Sequence, residues 1–138
     1  MALDVGDRRI GVALSDPTGM LATPVTAVDR VAAKPSDIDE ILRIAREQGA
    51  ESIIVGLPLS LSGAEGAQAK GVRAFVSDLT SRTGLPVDTV DERYSTVQAR
   101  RMLRDSGAGR SRDRGRVDAS AAAVILQAYL DAQRQARS

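Results

Sequence analysis

Three acidic side chains occupy apolar settings in which an isolated charge is unfavourable. Asp4 lies inside the short apolar stretch Ala2–Val5. Glu92 follows a predicted strand at the edge where open α/β sheets gather functional groups, and Asp118 lies on the apolar stripe of a predicted helix. A buried carboxylate needs a compensating partner, and a divalent cation is one such partner. We therefore expect Asp4, Glu92 and Asp118 to meet and to hold metal.

The residue types present restrict the chemistry that such a site could perform. The chain of 138 residues contains no histidine and no cysteine, which excludes serine–histidine triads, disulfides and zinc sites built from those ligands. Carboxylates suit hard cations such as Mg²⁺ or Mn²⁺. Carboxylates alone can hold two ions about 3.5–4 Å apart, an arrangement that suits in-line phosphodiester hydrolysis. We expect two Mg²⁺ or Mn²⁺ ions when substrate is bound.

Each acid also has an ordinary structural explanation. Asp4 could face solvent, since acids in strands are often surface residues. Glu92 and Asp118 could each favour the positive end of a nearby helix, Asp118 from the first turn of its own helix. The combination is more informative than any one of them, because points distant in sequence can converge across a mixed sheet.

The apolar periodicity predicts the elements that would position these acids, in the order βββ-α-β-α-β-α-α. Strands are predicted over residues 2–5, 10–14, 21–28, 52–55 and 85–90. Helices are predicted from Ser36 to Gly49, up to Gly84, from Ser95 to Ser106, and from Val117 to Arg134. The order favours an α/β fold. We expect one domain, residues 1–138, with a mixed five-stranded sheet, its first three strands antiparallel, and helices on both faces.

Arginines cluster between two of the candidate ligands. Eight arginines and only two acids fall between Arg93 and Arg116, although the net charge of the chain is +1. Such a run is often only a solvated charged surface. Its place between Glu92 and Asp118 favours a phosphate-binding surface, in which a loop from Gly107 to Arg116 contacts the backbone of a nucleic acid. The candidate contacts are Arg93, Arg110, Arg112, Arg114 and Arg116.

Two glycine-containing segments have weaker functional interpretations. The predicted hairpin from Asp4 to Gly11 could present backbone N–H groups to phosphate, although hairpin glycines usually serve the turn alone. The segment from Gly56 to Gly63 is predicted to be a loop at the carboxyl end of a buried strand. It is either an ordinary connection or a wall of the active-site groove.

Several motifs, in order along the chain, resemble the YqgF/RuvX family. They are Asp4-Val5-Gly6, Arg9-Ile10-Gly11-Val12-Ala13, Ile54-Val55-Gly56-Leu57-Pro58-Leu59, Asp91-Glu92-Arg93-Tyr94-Ser95-Thr96 with Ala99, Val117-Asp118-Ala119, and the run from Ala121 to Gln127. The resemblance implies a ribonuclease H-like fold, with Asp4, Glu92 and Asp118 as catalytic metal-binding residues. It also implies a cytoplasmic bacterial nuclease that acts at the 5′ end of pre-16S ribosomal RNA.

Other functions remain open at this stage. Family members are also discussed as Holliday junction resolvases acting on branched DNA, and a resolvase would favour a homodimer over a monomer. A non-catalytic module that binds structured nucleic acid through its arginines is a second alternative. Sugar kinases and chaperone ATPases begin with a similar hairpin, but they need a second lobe. No stretch approaches the roughly 20 apolar residues of a membrane span, so we expect no membrane partner.

Overall fold

The computed structural model describes residues 1–30, 36–60, 62–92 and 111–137, with backbone alone for 111–116. Five strands and three helices lie in these ranges. The strands are β1 (Ala2–Val5), β2 (Arg9–Ser15), β3 (Ala22–Asp29), β4 (Ile53–Leu57) and β5 (Val87–Asp91). The helices are α1 (Asp37–Gln48), α2 (Ala67–Arg82) and α3 (Ser111–Arg137).

The five strands form one mixed sheet in the order β3-β2-β1-β4-β5. The first three strands pair antiparallel with one another, whereas β1–β4 and β4–β5 pair in parallel. This topology confirms the predicted α/β architecture. It also makes β1, the strand of Asp4, the centre of the sheet, and all four of its residues are buried.

The two faces of the sheet carry separate apolar layers. Leu3 and Val5 of β1 pack with α1 and α2, whereas Ala2, which points to the opposite face, packs with α3. The helices therefore cover both faces, as predicted. Asp4 has the same parity along β1 as Ala2, so its side chain lies on the α3 face. None of the helices in the described part of the chain is long and apolar enough to cross a lipid bilayer.

Helix α1 begins and ends at the residues that the sequence indicates. The Ser36 side chain accepts a hydrogen bond from the Asp39 backbone N–H, and the Asp39 side chain accepts one from the Ser36 backbone N–H. This reciprocal capping box satisfies two backbone donors at the helix start. Gly49 ends the helix in the left-handed conformation, with φ of 68°.

Among the predicted boundaries that differ from the structure, the end of β4 and the start of α3 bear on the candidate site. Strand β4 does not end at residue 55: Gly56 and Leu57 continue it, because Gly56 pairs with Val90 and Leu57 with Asp91 across the β4–β5 ladder. The predicted loop therefore contains the end of a strand.

Helix α3 begins at Ser111, not near residue 117, so the end of the predicted arginine loop is helical. Arginine is a good helix former, and an alanine-rich helix extends readily through one glycine such as Gly115. Asp118 consequently lies two turns inside the helix and not in its first turn. The helix predicted from Ser95 to Ser106 lies outside the described residues.

The second half of α3 is fixed to the turn between β2 and β3 by one glutamine. The Gln127 Oε1 accepts a hydrogen bond from the Ala22 backbone N–H at 2.9 Å, and its Nε2 donates to the Met20 carbonyl at 3.0 Å. The Arg134 Nη1 donates to the same carbonyl at 3.0 Å. These contacts tie the helix to the start of the edge strand β3.

We expect Gln127→Ala to lower the free energy of unfolding by about 1–2 kcal/mol, because the Ala22 N–H loses its acceptor and the Met20 carbonyl loses one of its two donors. Urea denaturation measures the change. Gln68→Ala, an identical substitution at an exposed site on α2, is the matched control and should change stability by less than about 0.5 kcal/mol. Equal effects of the two substitutions would show that the turn is held by other contacts.

Candidate metal and nucleic-acid site

The three acids of the sequence prediction are all buried. The exposed fraction is 0% for Asp4, 2% for Glu92 and 1% for Asp118. None of them is therefore an ordinary surface acid. Each must be positioned by the elements around it. Two glycines, one on each side of Asp4, leave the space that Asp118 and Glu92 occupy.

Asp4 has a glycine beside it on each neighbouring strand. Its Cα partner on β2 is Gly11. On the other side, β1 pairs with β4 as Ala2 with Ile54 and Leu3 with Val55. The same register, continued by one residue, sets Asp4 beside Gly56. Two positions without side chains thus leave open space on the α3 face around the Asp4 carboxylate.

The backbone of Asp118 fills the space above Gly11. A Cβ atom at Gly11 would lie 1.9 Å from the Asp118 carbonyl oxygen and 2.4 Å from its carbonyl carbon. Helix α3 can approach the sheet this closely only because position 11 is glycine. The close approach brings Asp118 over β2, next to the strand that carries Asp4.

The carboxylate of Glu92 fills the space above Gly56. A Cβ atom at Gly56 would lie 2.2 Å from Glu92 Oε1 and 2.6 Å from the Ile125 Cδ1. The Glu92 backbone N–H donates to the Leu57 carbonyl at 3.2 Å, which extends the β4–β5 ladder by one residue. Asp91, its neighbour, is exposed. Strand alternation separates the two acids as predicted, and Glu92 is the one turned inward.

On the face of the sheet that α3 covers, successive rows of residues across β2, β1 and β4 differ in polarity. The first row is apolar and packs against Ala121, Ala122 and Ile125 of α3; it consists of Ala13, Ala2 and Ile54. The next row consists of Gly11, Asp4 and Gly56. The acids therefore lie at the margin of an apolar layer, where α3 and the sheet shield them from bulk water.

Arg9, the first residue of β2, lies one row beyond Gly11 on the same face of the sheet and contacts Asp118. Its Nε donates to Asp118 Oδ2 at 3.0 Å, and its side chain is 17% exposed. This charge-assisted hydrogen bond joins residues 109 positions apart in the sequence. Its loss would leave a buried carboxylate without this cation, which is strongly unfavourable.

The donor set has the chemistry of a site for a hard divalent cation. It consists of buried carboxylates and no softer ligand, as Mg²⁺ and Mn²⁺ prefer. With the side chains as they lie, no three acids in the described ranges are grouped so as to hold one ion together. Mg²⁺ commonly takes one or two protein carboxylates, with water and substrate phosphate supplying its other ligands. A site for such a cation therefore does not require all three acids to meet at one ion.

The predicted phosphate-binding residues fall only partly in the described structure. Arg93 and Arg110 lie outside the described residues, and the backbone of Arg112, Arg114 and Arg116 belongs to the first turns of α3. The hairpin does not present Gly6 as a phosphate ligand, because the Gly6 N–H donates to the Arg9 carbonyl at 2.9 Å. The prediction that the hairpin presents backbone N–H groups to phosphate is therefore wrong for the Gly6 N–H.

Comparison with known proteins shows which family this chain belongs to. The family model RuvX, described as a Holliday junction resolvase, matches residues 1–132. The chain belongs to the RuvX family. The matched range contains Asp4, Glu92 and Asp118, together with Arg9, and it agrees with the resemblance carried by the sequence motifs.

Individual relatives of this RuvX chain are similar over nearly their whole length. A Roseiflexus sp. protein is 46% identical over 134 residues, 97% of this chain and 94% of the relative. A Chloroflexus aurantiacus protein is 43% identical over 136 residues, 97% and 87%. An Anaeromyxobacter sp. protein is 45% identical over 131 residues, 95% of each. All three bear the name "Putative pre-16S rRNA nuclease".

Sequence reasoning missed the structural use of Gly11, Gly56 and Arg9. The signal was available in part. Because the hairpin pairs β1 with β2, alternation sets Arg9, Gly11 and Ala13 on the same face as Asp4 and Ala2. The approach of α3 to Gly11 could not be read from the sequence, because the two segments are distant along the chain.

We expect alanine substitutions of three glycines to rank by what the added methyl group meets. Gly11→Ala should lower the free energy of unfolding by about 3 kcal/mol or more, because the clash is with backbone. Gly56→Ala should be milder, since side-chain ends can move. Gly71→Ala, within α2 and with no atom within 4 Å, is the control and should stabilise by about 0.5–1 kcal/mol. Urea denaturation gives the order; wild-type stability of Gly11→Ala would contradict the close approach.

Proposed function

We propose that this protein is a metal-dependent nuclease that hydrolyses phosphodiester bonds and processes the 5′ end of pre-16S ribosomal RNA in the cytoplasm. The names of its full-length relatives support the substrate. The observation that carries the reaction type is the burial of three carboxylates on one face of the sheet, in a chain without histidine or cysteine.

Asp4 is the residue that two ions would share. Asp118 lies over one glycine beside Asp4, and the Glu92 carboxylate lies over the other. Asp4 with Asp118 would hold one Mg²⁺ or Mn²⁺, and Asp4 with Glu92 would hold the second. Such ions lower the pKa of water and stabilise the charge on both the attacking and the leaving oxygen of an in-line displacement.

The surrounding residues keep the carboxylates in position. Leu57 fixes the backbone of Glu92, Gly11 fixes the height of Asp118 above the sheet, and Arg9 fixes one oxygen of the Asp118 carboxylate. The apolar row behind them keeps bulk water from one side. Ligands that are already rigid lose little freedom when a cation and a phosphate bind, which favours a defined geometry for the reaction.

Resolution of branched DNA is the second candidate function. It is favoured by the description of the matching family model as a Holliday junction resolvase. A scissile phosphate is common to RNA and DNA, so the same three acids would serve either substrate. A junction has two symmetric strands, and its cleavage would call for two copies of the chain related by a two-fold axis.

We expect Asp4→Asn to abolish cleavage while the protein remains folded. Asparagine keeps the shape of the side chain but lacks the charge that holds a divalent cation. Asp78→Asn, at an exposed position of α2, is the matched control and should cleave as the wild type does. Circular dichroism checks folding, and a gel assay measures cleavage. Full activity of Asp4→Asn in saturating Mn²⁺ would refute the assignment.

A side-by-side assay separates the candidate substrates. A pre-16S ribosomal RNA fragment and a four-way DNA junction are each incubated with the protein in Mn²⁺ and in EDTA. We expect the RNA to be cut near its 5′ processing site only when Mn²⁺ is present. Junction cleavage alone would favour the resolvase. Tight binding without cleavage, and indifferent to EDTA, would favour a non-catalytic binding module.

We also expect the arginines before Asp118 to contribute to nucleic-acid affinity. Replacing Arg110, Arg112, Arg114 and Arg116 by glutamine should weaken binding and reduce its dependence on salt, because fewer counterions are released from phosphate. A control variant removes the same charge from α1 and α2, through Arg43, Arg46, Arg73 and Arg82. Titrations by fluorescence anisotropy at several salt concentrations measure both slopes. An unchanged slope in the first variant would count against this surface.

A further inference from the structure

We propose that Arg9 binds a backbone phosphate of the nucleic acid while its Nε–H holds Asp118. The residue would act as a bridge between a metal-binding acid and the substrate. This inference rests on the proposed nuclease function and adds a substrate-binding residue to it. The supporting observations are the hydrogen bonding of the guanidinium, its exposure, and its place next to the row of Asp4.

Most of the hydrogen-bonding capacity of Arg9 is unused within the described part of the chain. A guanidinium has five N–H donors in a planar fork. The Nε–H of Arg9 donates to Asp118 Oδ2 at 3.0 Å, and neither Nη1 nor Nη2 donates to any residue in the described ranges. The two terminal nitrogens form the edge that binds phosphate oxygens in a bidentate manner.

The position of Arg9 allows that edge to reach a ligand. Its side chain retains 17% exposure, whereas the Asp118 carboxylate that it contacts has 1%. Arg9 lies two residues before Gly11 on β2 and therefore on the same face as Asp4. A phosphate that approaches the three acids from solvent would meet the Arg9 guanidinium at the margin of the site.

The neighbouring arginine Arg30 does not have this freedom. Its Nη1 donates to the Gly6 carbonyl at 3.0 Å and its Nε to Asp37 Oδ2 at 3.3 Å. Its guanidinium carbon also lies 5.6 Å from the centroid of the Phe75 ring. Arg30 therefore links the turn between β1 and β2 to the start of α1. Of these two guanidiniums, Arg9 is the one with donors left for substrate.

The pairing with Asp118 prepares Arg9 for phosphate binding. A long side chain loses rotamer freedom when it binds, and the buried carboxylate has already restricted it. The cation also offsets repulsion between the acidic residues and the approaching phosphate. Lysine could not replace it, because a single ammonium has no fork with which to hold a carboxylate and a phosphate together.

The test uses binding without cleavage. Asp118→Asn is the background, so that removing Arg9 leaves no buried carboxylate without its cation, and EDTA excludes metal. Affinity for the pre-16S RNA fragment and for the DNA junction is measured by fluorescence anisotropy as a function of salt concentration. Adding Arg9→Gln should weaken binding and reduce the slope of log K against log salt by about 0.7–0.9, the value for one phosphate contact.

Arg43→Gln in the same background is the control, because Arg43 lies on α1, against the other face of the sheet, and is paired with Glu40 and Glu47. It removes the same charge and should leave the slope unchanged. An equal slope with and without Arg9 overturns the inference, while cleavage by the wild type would leave the nuclease proposal standing. Failure of the wild type to bind either nucleic acid overturns both.

Arg9→Lys, with Asp118 intact, separates phosphate binding from charge alone. We expect the salt slope to be retained and kcat to fall about 10- to 100-fold, because lysine cannot bridge the two groups. Full cleavage by Arg9→Lys would contradict the bridge. Thermal unfolding of each variant confirms that the comparison is made between folded proteins.

Discussion

The burial of three acidic side chains between the sheet and one helix is the physical constraint on which the structure of this RuvX protein depends. Carboxylates are costly to bury unless other groups compensate for them. Here glycines provide the space and an arginine provides compensating charge. Glycines on both sides of Asp4 leave space for Asp118 and for the Glu92 carboxylate, and Arg9 contributes a cation. A side chain at Gly11 would meet the backbone of Asp118, and one at Gly56 would meet the Glu92 carboxylate and Ile125.

The two faces of the sheet carry different kinds of buried side chain. The face under α1 and α2 carries large aliphatic residues and Phe75, with no acid among its buried side chains in the described ranges. The face under α3 has small residues, among them Ala2, Ala13 and Ala122, which allow the helix to lie close to the strands. A site on the second face can therefore be built from charged groups while the first supplies an ordinary hydrophobic core.

Local signals predicted the fold well, and contacts between distant segments decided what could not be predicted. The Ser36 cap, the Gly49 stop and the antiparallel start of the sheet follow from neighbouring residues. The end of β4 was missed because pairing with β5 determines it, and the start of α3 was missed because a glycine- and arginine-rich segment was expected to be a loop. The apolar settings of the three acids were recognised from the sequence, and the three are buried. Arg9 was not, because its partner lies 109 residues away.

Whether these acids bind a divalent cation is tested most directly by titrating the protein with Mn²⁺ and following free ion by electron paramagnetic resonance. No nucleic acid needs to be cut, so the result is independent of substrate identity. The wild type and Asp78→Asn should bind Mn²⁺ alike, whereas Asp4→Asn should lose most of that binding, and Glu92→Gln and Asp118→Asn should each lose part of it. Equal Mn²⁺ binding by Asp4→Asn and the wild type would contradict a metal site built around Asp4.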